Sequence, residues 1–230
     1  MKKNYTMKKI LLLLTLFTMT YVNAQTPEKW TSGDIHEGVK KLNVLASALY
    51  VAAHPDDENT RLIAYLANHK YANTAYLSMT RGDGGQNLIG PEIRELLGVI
   101  RTQELLAARS VDGGQQFFTR ANDFGYSKHP DETFNIWNKE VVKQDVVHAI
   151  RKFKPDVIIA RFSEEPGRTH GHHTASAMLA SEAFDLAANS KIALPKPPKR
   201  IPSSTVIMEL YFVNIECKRF SSNGFIKRMS

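Results

Sequence analysis

Cysteine is almost absent: Cys217 stands alone in 230 residues. That excludes an internal disulfide and any zinc site built on paired thiolates. Long apolar runs are missing too. The longest, Ile10–Val22, is broken by Thr15, Thr18 and Thr20 and is too short to cross about 30 Å of hydrocarbon. Nucleotide fingerprints are incomplete. Gly82-Asp83-Gly84-Gly85-Gln86-Asn87 has Asn87 where a dinucleotide loop needs its third glycine, and Gly85…Gly90 runs into Pro91-Glu92 instead of Lys-Ser/Thr. No segment repeats. Acid is scarce only at the ends: residues 1–24 hold four lysines and no acid, and residues 191–230 hold eight Lys/Arg against two Glu. With a net charge of +7 overall, the stretch between is slightly acidic. The basic pI is therefore no nucleic-acid footprint, and no nucleic acid is expected as a partner.

What is present describes an exported globular domain. Residues 43% hydrophobic and 23% charged fit one domain with a sizeable core, and exclude disorder, collagen and coiled coil. Lysines, the apolar run and Val22-Asn23-Ala24 have the layout of a signal peptide cut after Ala24. The expected location is periplasmic or extracellular. No cysteine follows the cut, which argues against a lipoprotein, and no membrane span is expected after cleavage. Three segments are expected: a signal at 1–24, a catalytic domain at 25–190 and a basic Pro-rich linker and tail at 191–230. That tail is either a natural end or a truncation.

The hydrophobic pattern predicts an α/β fold. Residues 47–53 and Val157–Ala160 read as strands buried on both faces, with further strands at Thr74–Thr80 and Gln115–Thr119. Helical spacing covers Leu62 to about residue 69, a stretch opening at Pro91 with Ile93, Leu96, Leu97 and Ile100, Ile136–Lys154, and His173–Ala188. Residues 121–135 read as a turn-rich covering loop, and residues 205–213 as one more strand. The alternation implies a mostly parallel sheet with helices on both faces.

In such a sheet the ligand site lies beyond the carboxyl ends of the strands. His54-Pro55-Asp56-Asp57-Glu58 leaves the first strand, and His170-Gly171-His172-His173 follows the strand at 157–160. A histidine and a nearby carboxylate can share one space, and a histidine from the second loop completes a three-ligand set. Two His and one Asp with water in the fourth position is the open arrangement of a hydrolytic zinc site. The remaining acid is then free to move a proton. An acidic turn and a solvated loop are the alternatives. Arg101 either binds substrate or pairs with Glu104 along its helix. His129-Pro130-Asp131-Glu132 imitates the first motif without its second Asp and reads as loop.

Ala53-His54-Pro55-Asp56-Asp57-Glu58 resembles the signature of the PIG-L/LmbE-like deacetylases. The resemblance runs through Met79-Thr80-Arg81-Gly82, Arg101-Thr102-Gln103-Glu104 and His170…His173, over roughly residues 47–188. It implies a Rossmann-like three-layer α/β sandwich and zinc-dependent deacetylation of an N-acetylated sugar, glycoconjugate or related amide. It further implies His54, Asp57 and His173 as zinc ligands, Asp56 as general base, and His170 beside the metal facing the oxyanion. The glycine loop would line the pocket, where Asp83 either accepts sugar hydroxyls or only shapes a turn. The family often reads His-Pro-Asp-His at the last motif, whereas this chain has Gly171 and His172, so His172 stands as an alternative third ligand. His/Asp sets also accept Fe²⁺, Co²⁺ or Mn²⁺. A carbohydrate-binding protein that retains the pocket, or an amidase of another N-acyl conjugate, are the other readings. The oligomeric state is left open.

Overall fold

The computed structural model describes residues 29–189, Lys9, and the strands at 217–218 and 226–229. The proposed signal segment apart from Lys9, the Pro-rich linker and the strand expected at 205–213 lie outside the described residues. The chain divides into two compact units between Lys40 and Lys41. In the first, helix α1 (Ser32–Lys41) begins at a reciprocal cap. Thr31 N–H donates to Asp34 Oδ2 at 2.7 Å, and Asp34 N–H donates to Thr31 Oγ1 at 3.2 Å.

The second unit is built on a sheet of β1 (Ser47–Ala52), β2 (Asn73–Ser78), β3 (Gln115–Phe118), β4 (Val157–Ala160), β5 (Cys217–Lys218) and β6 (Ile226–Met229). Their order is β3-β2-β1-β4-β6-β5. The first four are parallel, and β6 and β5 continue antiparallel from β4. Residues 221–230 carry no strand pattern in the sequence, so β6 is placed by the sheet it joins. Every residue of β1 is buried. Its alternation sends Leu49 and Val51 to one face and Tyr50 and Ala52 to the other.

Helices fill both faces. On the first lie α4 (Pro130–Ile136), α5 (Lys139–Phe153) and α6 (Gly171–Ala188), with Val146, Ile150, Leu179 and Phe184 packed on Leu49, Val51 and Leu77. On the second lie α2 (Thr60–Ala64), which continues into one π-helical turn at Tyr65–His69, and α3 (Glu95–Asp112); Ile63 and Leu105 meet Tyr50 and Tyr76 there. Each fully buried Leu, Ile or Phe contributes about 1.5–3 kcal/mol. The fold is the expected three-layer α/β sandwich. Among the described residues no helix is long and apolar enough to cross a membrane.

Two helices differ from the expectation. α3 starts at Glu95, well after Pro91, because Arg94 takes a left-handed φ of 54°. Its buried side is Leu97, Gly98, Thr102 and Leu105, which leaves Ile93 and Leu96 exposed. The helix expected over Ile136–Lys154 is α5, which begins at Lys139, and the loop reading of His129–Glu132 fails because Pro130 opens α4. The break between α4 and α5 falls at Trp137, whose buried indole donates to the Asn122 carbonyl at 2.7 Å, and Asn138 then caps α5 through Val141 N–H.

Candidate metal centre

Strand order reverses between β1 and β4: β2 and β3 extend from one side of β1, and β4 lies on the other. Such a switch point opens a crevice at the carboxyl ends of the two strands. Both histidine motifs reach it, one directly from β1 and the other through the loop after β4.

The first motif is held by its backbone. Met79 N–H donates to the Ala52 carbonyl at 3.0 Å and Thr80 N–H to the Ala53 carbonyl at 2.9 Å, which carries β1–β2 pairing past the strand ends. The Tyr76 hydroxyl donates to the His54 carbonyl at 2.5 Å. His54 N–H then donates to Asp57 Oδ2 at 2.8 Å, closing the turn. Pro55 packs under Gly82, whose φ of 73° and contact with the proline ring suit only glycine. On the second motif, His170 is the N-cap of α6 and Gly171 N–H donates to the Ser127 carbonyl at 2.7 Å. A Cβ at Gly171 would overlap the His129 carbonyl and Ser127 Oγ, which explains glycine at this position.

The side chains converge. Asp57 Oδ2 lies 3.1 Å from His54 Nδ1, and Asp57 Oδ1 lies 3.3 Å from His173 Nε2. Nitrogen atoms of His54, His170 and His173 lie within 4.8 Å of one another, as do donor atoms of His54, Asp56 and Asp57. The His170 and His173 rings are 3.7 Å apart between centroids, and Phe162 stacks flat on His173 at 3.8 Å. Asp56 points outward, with 71% of its side chain exposed, and its Oδ2 is 3.8 Å from Arg101 Nη2. Arg101 also lies 2.9 Å from Glu104. It therefore makes the helical pair and reaches the rim of the site as well.

Charge follows burial and neighbours. Burial acts to raise the Asp57 carboxyl, but hydrogen bonding to His173 and His54 outweighs it and holds the group well below the ordinary carboxylate range. Burial acts to lower His54, yet Asp57, Asp123 and Asp56 raise it on balance. Burial and the adjacent His173 and His54 push His170 down to about 4. His172 is pushed down to about 3 by burial and by His54, His170 and His173.

The family resemblance implies zinc, and the donors fit one. Two ligands at about 2.0–2.1 Å from a tetrahedral zinc sit roughly 3.3 Å apart. The Asp57–His54 and Asp57–His173 separations, made through different carboxylate oxygens, lie near that spacing, and His170 Nδ1 is buried without a hydrogen-bond partner. Of the expected site residues, His54, Asp56, Asp57, His170 and His173 come together. Asp83 instead accepts the Asp123 N–H at 3.3 Å and packs against Gly98, and burial raises its carboxyl.

Three participants were missed in the sequence. Asp123, buried in the stretch read as a loop, forms a second donor group with His54 and His172. Arg109 is buried behind the motif, with its guanidinium on Asp112 and 3.5 Å from Glu58. Phe162 is the ring under His173. No local pattern marks any of them, because each is placed by packing between distant segments.

Comparison with known proteins follows the same lines. The family model "PIG-L: GlcNAc-PI de-N-acetylase" matches residues 49–184, more than half of the chain. A mycothiol S-conjugate amidase of Streptomyces coelicolor is 26% identical over 155 residues, 61% of this chain and 52% of its own. A 1D-myo-inositol 2-acetamido-2-deoxy-alpha-D-glucopyranoside deacetylase of Kineococcus radiotolerans is 27% identical over 162 residues, 58% of this chain and 43% of its own. The chain thus spans about half the length of these relatives. Among solved structures, the 4-carboxy-2-hydroxymuconate hydratase GalB of Pseudomonas putida superposes with a TM-score of 0.51 at 18% identity, over 69% of this chain and 62% of that one. The N,N'-diacetylchitobiose deacetylase of Pyrococcus horikoshii superposes at 0.50 and 19%, over 71% and 62%. At such identities the superpositions speak for the fold alone.

Proposed function

Because the chain belongs to the PIG-L, GlcNAc-PI de-N-acetylase, family, we propose that it is a zinc-dependent hydrolase that removes the N-acetyl group from an amino sugar or glycoconjugate. The observation that carries this reading is the Asp57 carboxylate held between His54 Nδ1 and His173 Nε2 at the switch point, with exposed Asp56 beside it. His54, Asp57 and His173 would hold the ion. When bound, it supplies Lewis-acid polarisation and a water acidified enough to attack an amide at neutral pH.

The chain's own residues do the rest. Asp56 stands at the mouth, takes the proton of the attacking water and returns it to the departing amine. Arg101, 3.8 Å from Asp56, stands beside that carboxylate at the rim. His170, on the N-cap of α6, faces the amide oxygen and donates a hydrogen bond as negative charge develops there. We propose further that the protein acts outside the cytoplasm, released by cleavage after Ala24.

An amidase acting on another N-acyl conjugate would use the same ligands, and the relative from Streptomyces coelicolor is named for such a reaction. Substrate profiling separates the two. Zinc-loaded protein is offered N-acetylhexosamines, their glycosides and N-acyl amino-acid conjugates, and released acetate or other carboxylate is measured. Acetate from the sugar panel, lost on chelation and regained with zinc, is the expected result. Silence on sugars with turnover of another amide would move the assignment to the second reaction.

A further inference from the structure

His172 has no solvent exposure. Its ring lies parallel to the Trp137 indole, 5.2 Å away at 2°, and meets Phe124 edge-on at 4.3 Å. Its Nδ1 is 3.0 Å from Nε2 of His54. That contact is made by the nitrogen of His54 that does not face Asp57. Its own Nε2 is buried with no hydrogen-bond partner.

Two ring nitrogens share a hydrogen bond only when one carries the proton and the other a lone pair. A nitrogen bound to a metal carries no proton. With His54 Nδ1 turned toward Asp57 and the ion, His54 Nε2 must hold the proton and donate it to His172 Nδ1. Ligand histidines commonly donate that second N–H to a carboxylate or carbonyl, which fixes tautomer and ring orientation. We propose that His172 is a positioning residue for the metal centre, an imidazole acceptor in the role usually filled by an oxygen. The orphaned Nε2 supports this: a leucine would fill the space against Trp137 and Phe124 without leaving a buried nitrogen unsatisfied. Packing alone gives no reason for histidine here.

The inference rests on His54 being a metal ligand, and the experiment separates the two claims. Metal-stripped wild type, His172→Leu, His172→Asn and His54→Ala compete with a chromogenic chelator for zinc. Asn places an acceptor oxygen where Nδ1 stands; Leu has none. The expected result is zinc affinity roughly 10- to 100-fold weaker in His172→Leu, largely recovered in His172→Asn, with the metal-free melting temperature of His172→Leu not reduced. Undiminished affinity in His172→Leu overturns the proposal. Loss in both His172 variants to the level of His54→Ala overturns it as well, by making His172 a ligand. Unchanged zinc binding in His54→Ala overturns this assignment together with the metal reading beneath it. Should His172→Leu fail to fold, ¹⁵N-imidazole spectra of the zinc-loaded wild type decide. A protonated Nε2 on both His54 and His172 is expected, and a metal-bound Nε2 on His54 overturns the proposal.

Discussion

Two segments of this chain begin with the same three residues, His-Pro-Asp, at His54 and at His129. His54 follows a strand buried on both faces and enters a crevice, where its side chain and that of Asp57 are largely shielded. His129 precedes a seven-residue helix, and its pair with Asp131 at 3.2 Å is open to water on both sides. Pro55 packs beneath Gly82, whereas Pro130 supplies the first turn of α4. The second segment still serves the first: the His129 carbonyl is the wall against which Gly171 fits, and Gly171 opens the helix that carries His172 and His173. Residue type alone does not decide what such a motif meets. The preceding element, here a parallel strand ending at a switch point, decides it.

The sharpest break in the comparison is at the proposed ligands. His54→Ala or Asp57→Ala is expected to abolish stoichiometric zinc, measured by elemental analysis after gel filtration. Gly171→Ala comes next, because its added methyl group meets backbone, not a yielding side chain. About 1–3 kcal/mol of unfolding free energy should be lost, read by urea titration, and zinc affinity should weaken with it.

A pH series sharpens the contrast further. The upward shift of His54 means its contribution to metal-free stability is full below its ordinary value of about 6.5 and disappears as pH rises through the higher folded value. Under the proposed function, zinc would compete for that site with the proton. Its stabilisation of the fold, followed as the rise in melting temperature, should therefore grow with pH over the same window. His129→Ala and Asp131→Ala mark the small end. An exposed pair of this kind contributes within about 0.5 kcal/mol, and zinc binding should match wild type.

The central strands were legible because they are apolar on both faces: the predicted 47–53 and 157–160 agree with Ser47–Ala52 and Val157–Ala160 within a residue. Helix edges were not. Arg94 turns left-handed, and Trp137 dives into the core just where helical spacing starts a helix at Ile136, so that α5 begins only at Lys139. The convergence of His54, Asp57, His170 and His173 on one crevice was legible in two short motifs. The different surroundings of His172 and His173 were not, because neighbours on one helix differ only in what the rest of the fold puts beside them. His173 meets Asp57 and Phe162; His172 meets His54, Trp137 and Phe124.

The central claim is that a zinc ion held by His54, Asp57 and His173 works with Asp56 on an N-acetyl amide. Asp56→Asn tests it most directly, through parallel zinc titration and acetate release. The account predicts one equivalent of zinc bound with wild-type affinity, and acetate release down by at least about 100-fold. A variant that keeps the wild-type rate, or a wild type that stays active once stripped of metal, would contradict it.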